Sequence, residues 1–345
     1  MSARVMSILE SFSPTVEVYS IDEAFLDFSD LSPCTQDPLA YATQIKQTVK
    51  RYVGIPVCVG LGPTKTLAKL ANFAAKKWQQ TGGVLNLSDP IRREKLMKLV
   101  PVEEVWGIGR QTTKRLNQLG IQSVWDLANQ PAKTIQAQFN VVVARTVMEL
   151  NGIACLDLEE VAPDKQQIVC SRSFSRKLTT LDELSRALSE YCTRAGEKLR
   201  LQQSVTGCVS VFIRTNPFAV HEPQYQRSAT VKLDAATQDT RTIIRVALSS
   251  LKAVYKPGFG YQKCGVQLSA IRLAASPAQC DLFDLATGVL PAENAVLMQT
   301  VDHINRRFPK AISIASSGFE KSWKPKAERI SQRYTTDWRE LVWVK

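Results

Sequence analysis

Asp22 and Glu23 stand side by side in EVYSIDEAFLDFSD, residues 17–30, with Asp27 close behind. The stretch around them is otherwise apolar and strand-like. Strict strand alternation would send two neighbours to opposite faces. A tight turn between antiparallel strands lets both carboxylates project from one end. Adjacent like charges repel unless a cation lies between them, and a hard divalent ion such as Mg²⁺ takes oxygen ligands. The same residues also suit a solvated hairpin turn, because Asp bonds its own backbone there. Asp27 reads as structural.

Two basic motifs follow. GLGPTKTLAKLANFAAKKW, residues 60–78, carries Lys65, Lys69, Lys76 and Lys77 and no acid. Leu67, Leu70, Ala71 and Ala74 form the apolar stripe of a helix, and Lys65, Lys69 and Lys76 share one flank. A strand ending in glycine-rich backbone before a lysine helix suits phosphate, since free N–H groups face the ligand. It is not a P-loop, because Thr64 stands where that motif needs Gly. A solvated helix face is the other reading of these lysines. In PVEEVWGIGRQTTKRLNQLGIQSVWDLA, residues 101–128, the Gly107-Ile108-Gly109 turn opens a helix bearing Arg110, Lys114 and Arg115. That pattern fits a helix-hairpin-helix, whose glycines let backbone N–H groups approach a DNA phosphate. Its alternative is an ordinary helical packing unit.

The elements that must position these motifs belong to a chain of 345 residues with a net charge of +12. Its pI near 9.3 points to a polyanionic partner, most simply nucleic acid. No apolar run approaches membrane-spanning length. The eight cysteines form no CxxC pair and the two histidines are isolated, which argues against zinc and for a reducing cytoplasm. Val5, Ile8, Leu9 and Phe12 recur at helical spacing, so the chain opens on a helix with a face to bury. Strands are expected at 16–19, 25–28 and 55–62, and a helix capped by Asp89-Pro90. Residues 101–160 read as all-helical. Residues 168–273 follow the order β-α-β-β-α-β, with Thr180 and Glu183 as a capping box. From Ala274 the chain is basic, with ten Lys/Arg against four acids over 306–345, and reads as a mobile tail with short helices.

YSIDEAF, GLGPTKTLAKLANFAAKK, VWGIGR and a β-α-β-β-α-β domain opening CSRSF, in that order, resemble the Y-family of translesion DNA polymerases, closest to its UmuC branch. The resemblance covers essentially the whole chain. It implies an α+β, multi-domain fold: a partial palm over 1–98 with a mixed sheet, a small helical thumb with the helix-hairpin-helix over 99–160, a linker at 161–167, a little finger over 168–273 and a basic tail over 274–345. Asp22 resembles the carboxylate on two catalytic Mg²⁺ ions, Glu23 the acid beside the primer 3′-hydroxyl, and Lys76 the lysine on the incoming triphosphate. Gly107, Ile108, Gly109, Arg110 and Lys114 take the DNA-binding role of the thumb. The implied activity is error-prone synthesis past damaged bases in DNA repair and the SOS response. Implied partners are damaged and undamaged primer-template DNA, a processed UmuD dimer and RecA, in the bacterial cytoplasm with no membrane.

In that family an apolar strand with a metal-binding Asp, and then the fingers, precede the point where this chain opens. The chain by itself is accordingly expected to bind primer-template and extend it poorly. A reading of another class, a non-catalytic DNA- and clamp-binding remnant, stays open on the sequence. AQCDLFD, residues 278–284, resembles the pentapeptide that docks bacterial polymerases on the sliding clamp, through Gln279, Leu282 and Phe283. A Leu-Phe pair fills an apolar pocket while Gln bonds backbone. Leu282→Ala combined with Phe283→Ala should abolish clamp association in a pull-down and leave DNA affinity intact.

Overall fold

The computed structural model describes residues 1–29, 37–159, 163–275, 292–309, 311–318, 323–324, 329–334 and 336–343. They form two compact units, Met1–Ala162 and Pro163–Lys345.

In the first unit α1 (Ser2–Glu10) leads to a hairpin of β1 (Val16–Val18) and β2 (Ala24–Leu26). The strands are antiparallel, with Val16 opposite Leu26 and Glu17 opposite Phe25. Then come α2 (Pro38–Val53), β3 (Val59–Leu61), α3 (Lys65–Lys77) and β4 (Val84–Asn86), the last pairing in parallel with β3. Asp37 and Asp89 cap α2 and α4 (Pro90–Leu99) by accepting from Leu39 N and Ile91 N, each with Pro at the first helical position. The glycines in and just after β3 serve packing. A Cβ at Gly60 would lie 2.2 Å from the backbone N of Asn72, and one at Gly62 2.8 Å from that of Ala68. The chain at both glycines rests directly on α3, so the missing side chains make room for the helix.

Four helices follow: α5 (Arg110–Gln118), α6 (Val124–Ala128), α7 (Ala132–Gln138) and α8 (Val141–Leu150). Ser123 and Asp126 make a reciprocal capping box on α6. Leu67, Leu70, Ala71 and Ala74 of α3 share one hydrophobic core with Val105, Ile108, Leu116, Leu127 and Val147 of this helical part. The lysine helix is therefore clamped from its apolar side, which presents its charged flank to the hairpin.

The second unit runs β5 (Ile168–Leu178), α9 (Leu181–Leu201), β6 (Ser204–Arg214), β7 (Gln226–Thr237), α10 (Thr240–Val254) and β8 (Tyr261–Leu273). This is the order expected from sequence. The antiparallel sheet is arranged β5-β8-β6-β7. Val209, Val211 and Ile213 face α9 and α10 and are fully buried with Leu184, Leu188, Ile243 and Leu251. Thr180 caps α9 through Glu183 N, but its hydroxyl donates to Glu183 Oε2 while Arg176 takes the other carboxylate oxygen. The return half of a capping box is thus diverted to an ion pair.

The expectation of a mobile tail differs from what the described part of that segment does. Helix α11 (Ala292–Arg307) is tied to α9 by Asp302, which accepts from Arg200 Nε and Nη2 at 2.6 and 2.8 Å. Arg200 is 6% exposed and also donates to Gln238 O and Thr240 Oγ1. Trp323 lies in the core at 2% exposure, its carbonyl accepting from the Ser175 backbone N–H and hydroxyl. A tryptophan isolated among polar residues gives no periodicity, so its burial is invisible to pattern. No helix among the described residues is long and apolar enough to cross a membrane. Trp323→Ala should lower the stability of this unit by about 3–5 kcal/mol, measured by urea denaturation.

Candidate active site and nucleic-acid interface

Tyr19 to Glu23 form the turn between β1 and β2. Ser20 N–H donates to Glu23 O at 3.0 Å and closes it. The Ser20 hydroxyl donates to Asp22 Oδ1 at 2.5 Å and accepts from Asp22 N at 3.3 Å. Asp22 is exposed and Glu23 half-buried. The turn therefore replaces strand alternation where the two acids sit. Asp27 is a local turn residue, accepting from Ser29 Oγ at 2.7 Å and Ser29 N at 2.8 Å. These bonds, the hydroxyl's foremost, hold its carboxyl below the ordinary Asp range.

The lysine flank of α3 lies against this hairpin. Thr64 caps the helix, its hydroxyl accepting from Leu67 N and donating to Glu149 O. Glu149, 1% exposed, accepts from Thr66 N at 3.0 Å and Cys155 N at 2.6 Å. A buried carboxylate at a helix N-terminus meets the positive end of the dipole. Lys65 pairs with Glu17 and donates to Asp157 O, and Glu17 also accepts from Glu159 N at 2.9 Å. Lys69 Nζ lies 2.6 Å from Glu23 Oε1. Two of the three flank lysines thus answer carboxylates rather than waiting for phosphate. Lys76 is exposed in the last turn of α3, with no partner among the described residues. It lies two turns beyond Lys69, about 10 Å along the axis.

At the turn before α5, Gly107 has φ +88° and both Gly107 and Gly109 are exposed, with no atom within 4 Å of an added Cβ. The backbone there is open to a ligand. Arg110 and Lys114 are exposed one turn apart on α5. Ile108 is not a surface group: at 8% exposure it plugs the core and anchors the turn. Arg115 is occupied, donating to Gln138 O at 2.6 Å and stacking 4.7 Å from the Phe139 centroid. Gln279, Leu282 and Phe283 lie outside the described residues.

A second surface went unread in the sequence. On the sheet face away from α9 and α10, Arg214 sits between Lys263 and Gln226 in the strand register, and Lys263 opposite Ser173. The next rows are Ser171, Gly265, Phe212 and Ser228, then Val169, Gln267, Ser210 and Thr230. None of these residues is acidic. Phe212 lies flat on Gly265, where a Cβ would come within 2.5 Å of its Cζ. Part of the signal was present in GCVSVFIRT, where Ser210 and Arg214 fall on one side of the strand, but only pairing across strands gathers such residues into a patch.

Residues 1–72 match the impB/mucB/samB family and residues 165–282 its C-terminal domain, while 295–344 match a domain of unknown function, DUF4113. Protein UmuC of Salmonella typhimurium is 46% identical over 347 aligned residues, covering 100% of this chain and 81% of that one. Protein MucB of Escherichia coli is 43% identical, covering 99% and 80%. The chain belongs to the UmuC/MucB family of Y-family DNA polymerases. DNA polymerase IV of Pelotomaculum thermopropionicum is more distant, 30% identical over 92% of this chain and 76% of its own. A Y-family DNA polymerase chimera of Dbh and Dpo4 shares the fold, with TM-score 0.59 and 22% identity over 79% of this chain and 75% of its own.

By family, then, this UmuC-like chain is an error-prone DNA polymerase of translesion synthesis in the DNA-damage response. Its family uses a divalent metal ion. Asp22 Oδ2 and Glu23 Oε2 have no protein partner among the described residues, and both are hard oxygens at one turn. Such ions are commonly held by one or two carboxylates with substrate phosphates, so the pair fits as part of a ligand set. Among the described residues no group of three or more His, Cys, Asp or Glu is placed to hold a metal ion. Lys65→Met should cost about 3–5 kcal/mol by leaving Glu17 buried and unpaired, read as a lowered urea midpoint.

Proposed function

We propose that Asp22 and Glu23 form the catalytic carboxylates of template-directed nucleotidyl transfer, and that Lys76 binds the incoming triphosphate. The observation that carries this reading is the turn with both acids at one end of the hairpin, Glu23 against Lys69, and Lys76, without a partner among the described residues, two helical turns further along α3. Two Mg²⁺ ions would supply activation of the 3′-hydroxyl and neutralisation of the leaving pyrophosphate. The protein's part is positioning. The Ser20 hydroxyl orients Asp22, Lys69 orients Glu23, and α3 spaces Lys76 along the triphosphate.

In this reading residues 1–98 act as palm, 99–160 as thumb and 168–273 as little finger. Open N–H groups at Gly107 and Gly109, with Arg110 and Lys114, take a backbone phosphate of the primer-template. Arg214 and Lys263, on the open sheet face, follow the duplex backbone without reading bases. The segment with Gln279, Leu282 and Phe283 takes the sliding clamp, and a processed UmuD dimer and RecA are partners in the SOS response, in the cytoplasm beside the nucleoid.

Assayed with the family's N-terminal strand and fingers joined ahead of residue 1, Asp22→Asn and Glu23→Gln should each remove single-nucleotide incorporation on primed DNA, by at least 10²-fold, with DNA affinity unchanged. Contact with about six phosphates sets a slope near −5 for log K against log salt. A salt-insensitive affinity, or incorporation that survives both substitutions, would refute the assignment.

A further inference from the structure

Lys69 is held more firmly than an ordinary surface lysine. Its side chain is 16% exposed although it sits on the charged flank of α3. Its ammonium lies 5.1 Å from the ring centroid of Tyr19, 5.6 Å from that of Trp106 and 6.0 Å from that of Phe25. The three rings hold one another. Tyr19 and Trp106 meet edge to face at 5.4 Å, Trp106 Nε1 donates to the Tyr19 hydroxyl at 3.3 Å, and Phe25 lies 5.6 Å from Trp106. An ammonium enclosed by aromatic faces is attracted by their quadrupoles and loses the freedom of its four-carbon stem. Its remaining contact is Glu23 Oε1.

The rings of the cage come from two places. Tyr19 and Phe25 flank the acidic turn on the hairpin. Trp106 comes from the turn that continues directly into Gly107, Ile108 and Gly109. Ile108, one residue beyond Gly107, is fixed in the core, so Trp106 follows the placement of that backbone. Asp22, by contrast, is oriented by Ser20 within its own turn.

We propose that Lys69 is a positioning residue for Glu23, and that Trp106 links its placement to the DNA-facing Gly107–Gly109 turn. One oxygen of Glu23 is reserved by the caged ammonium, and the carboxylate presents the other in a fixed direction. A phosphate seated at Gly107 and Gly109 thereby bears on the geometry of the acidic turn through Trp106 and Lys69. This rests on the reading of Asp22 and Glu23 as the metal-binding pair.

The test separates the two claims by following Mn²⁺ binding to the full chain through the electron paramagnetic resonance signal of the free ion. Site-specific binding must be weakened at least tenfold by Asp22→Asn and by Glu23→Gln; binding that ignores both removes the underlying reading and this proposal with it. Given that loss, Lys69→Gln should tighten Mn²⁺ binding about threefold to tenfold, because a competing cation is gone, while nucleotide incorporation at saturating metal falls about 30-fold. Lys69→Arg should restore both values to within about threefold. Trp106→Leu should act in the same direction and Trp106→Phe should restore it. A lysine serving only the fold would loosen metal binding and turnover together. A double-substitution cycle guards against a variant that folds poorly: if Lys69 acts through Glu23, Lys69→Gln adds nothing in a Glu23→Gln background. Additive losses in that cycle, or incorporation by Lys69→Gln within twofold of the parent, overturn the positioning role and leave the metal-site reading standing.

Discussion

The first unit depends on one contact, the lysine flank of α3 against the acidic hairpin. Lys65 and Glu17 meet where each is about one-tenth exposed. A pair that deep is favourable only if its remaining valences are met, because taking both charges out of water is costly. The segment after α8 meets them: Asp157 O accepts from Lys65 and Glu159 N–H donates to Glu17. One ion pair thereby ties together hairpin, helix and the end of the helical region. Lys69 repeats the arrangement nearer the surface, with aromatic rings in place of backbone groups. The two acids of the turn can stand exposed because the strand beneath them is pinned.

Glycine has opposite uses in two neighbouring motifs. In GLG at the end of β3 the space of the missing side chains is taken by α3. In GIG before α5 the space beside both glycines is empty and the intervening Ile108 is buried. The first pair builds the scaffold and the second leaves exposed backbone. Sequence alone does not separate them, because a glycine records only that a Cβ is unwelcome.

The second unit divides its sheet between two tasks. One face packs on α9 and α10, and the segment bearing α11 and Trp323 lies over those helices, locked by the Arg200–Asp302 pair and by Ser175. Trp323 and Ile314, in the part of the chain that matches a domain of unknown function, thus pack with the same core. The opposite face keeps Arg214 and Lys263 beside Ser173, Gln226 and Phe212. Helical cover on one side is what leaves the other side available to a polyanion.

The fold was largely legible in local pattern. The β-α-β-β-α-β order, the caps at Asp89 and Thr180 and the apolar stripe of α3 follow from alternation, helical period and capping chemistry, which act over a few residues. The adjacency of Asp22 and Glu23 and the open Gly107–Gly109 turn were local in the same way. The partners of Lys65 and Lys69 were not, because Glu17, Glu23 and Trp106 lie 37 to 48 positions away in the chain and nothing in a lysine's neighbours says which distant charge it meets. The burial of Trp323, the cationic row of the open sheet face and the sharing of one core by α3 and the later helices were hidden for the same reason. Sequence by itself determined which segments are helix, strand or turn and where the chemistry-bearing residues lie. Only the tertiary structure decided which charges are spent on one another and which remain for a ligand, since that depends on long-range packing that brings remote side chains within a few ångströms.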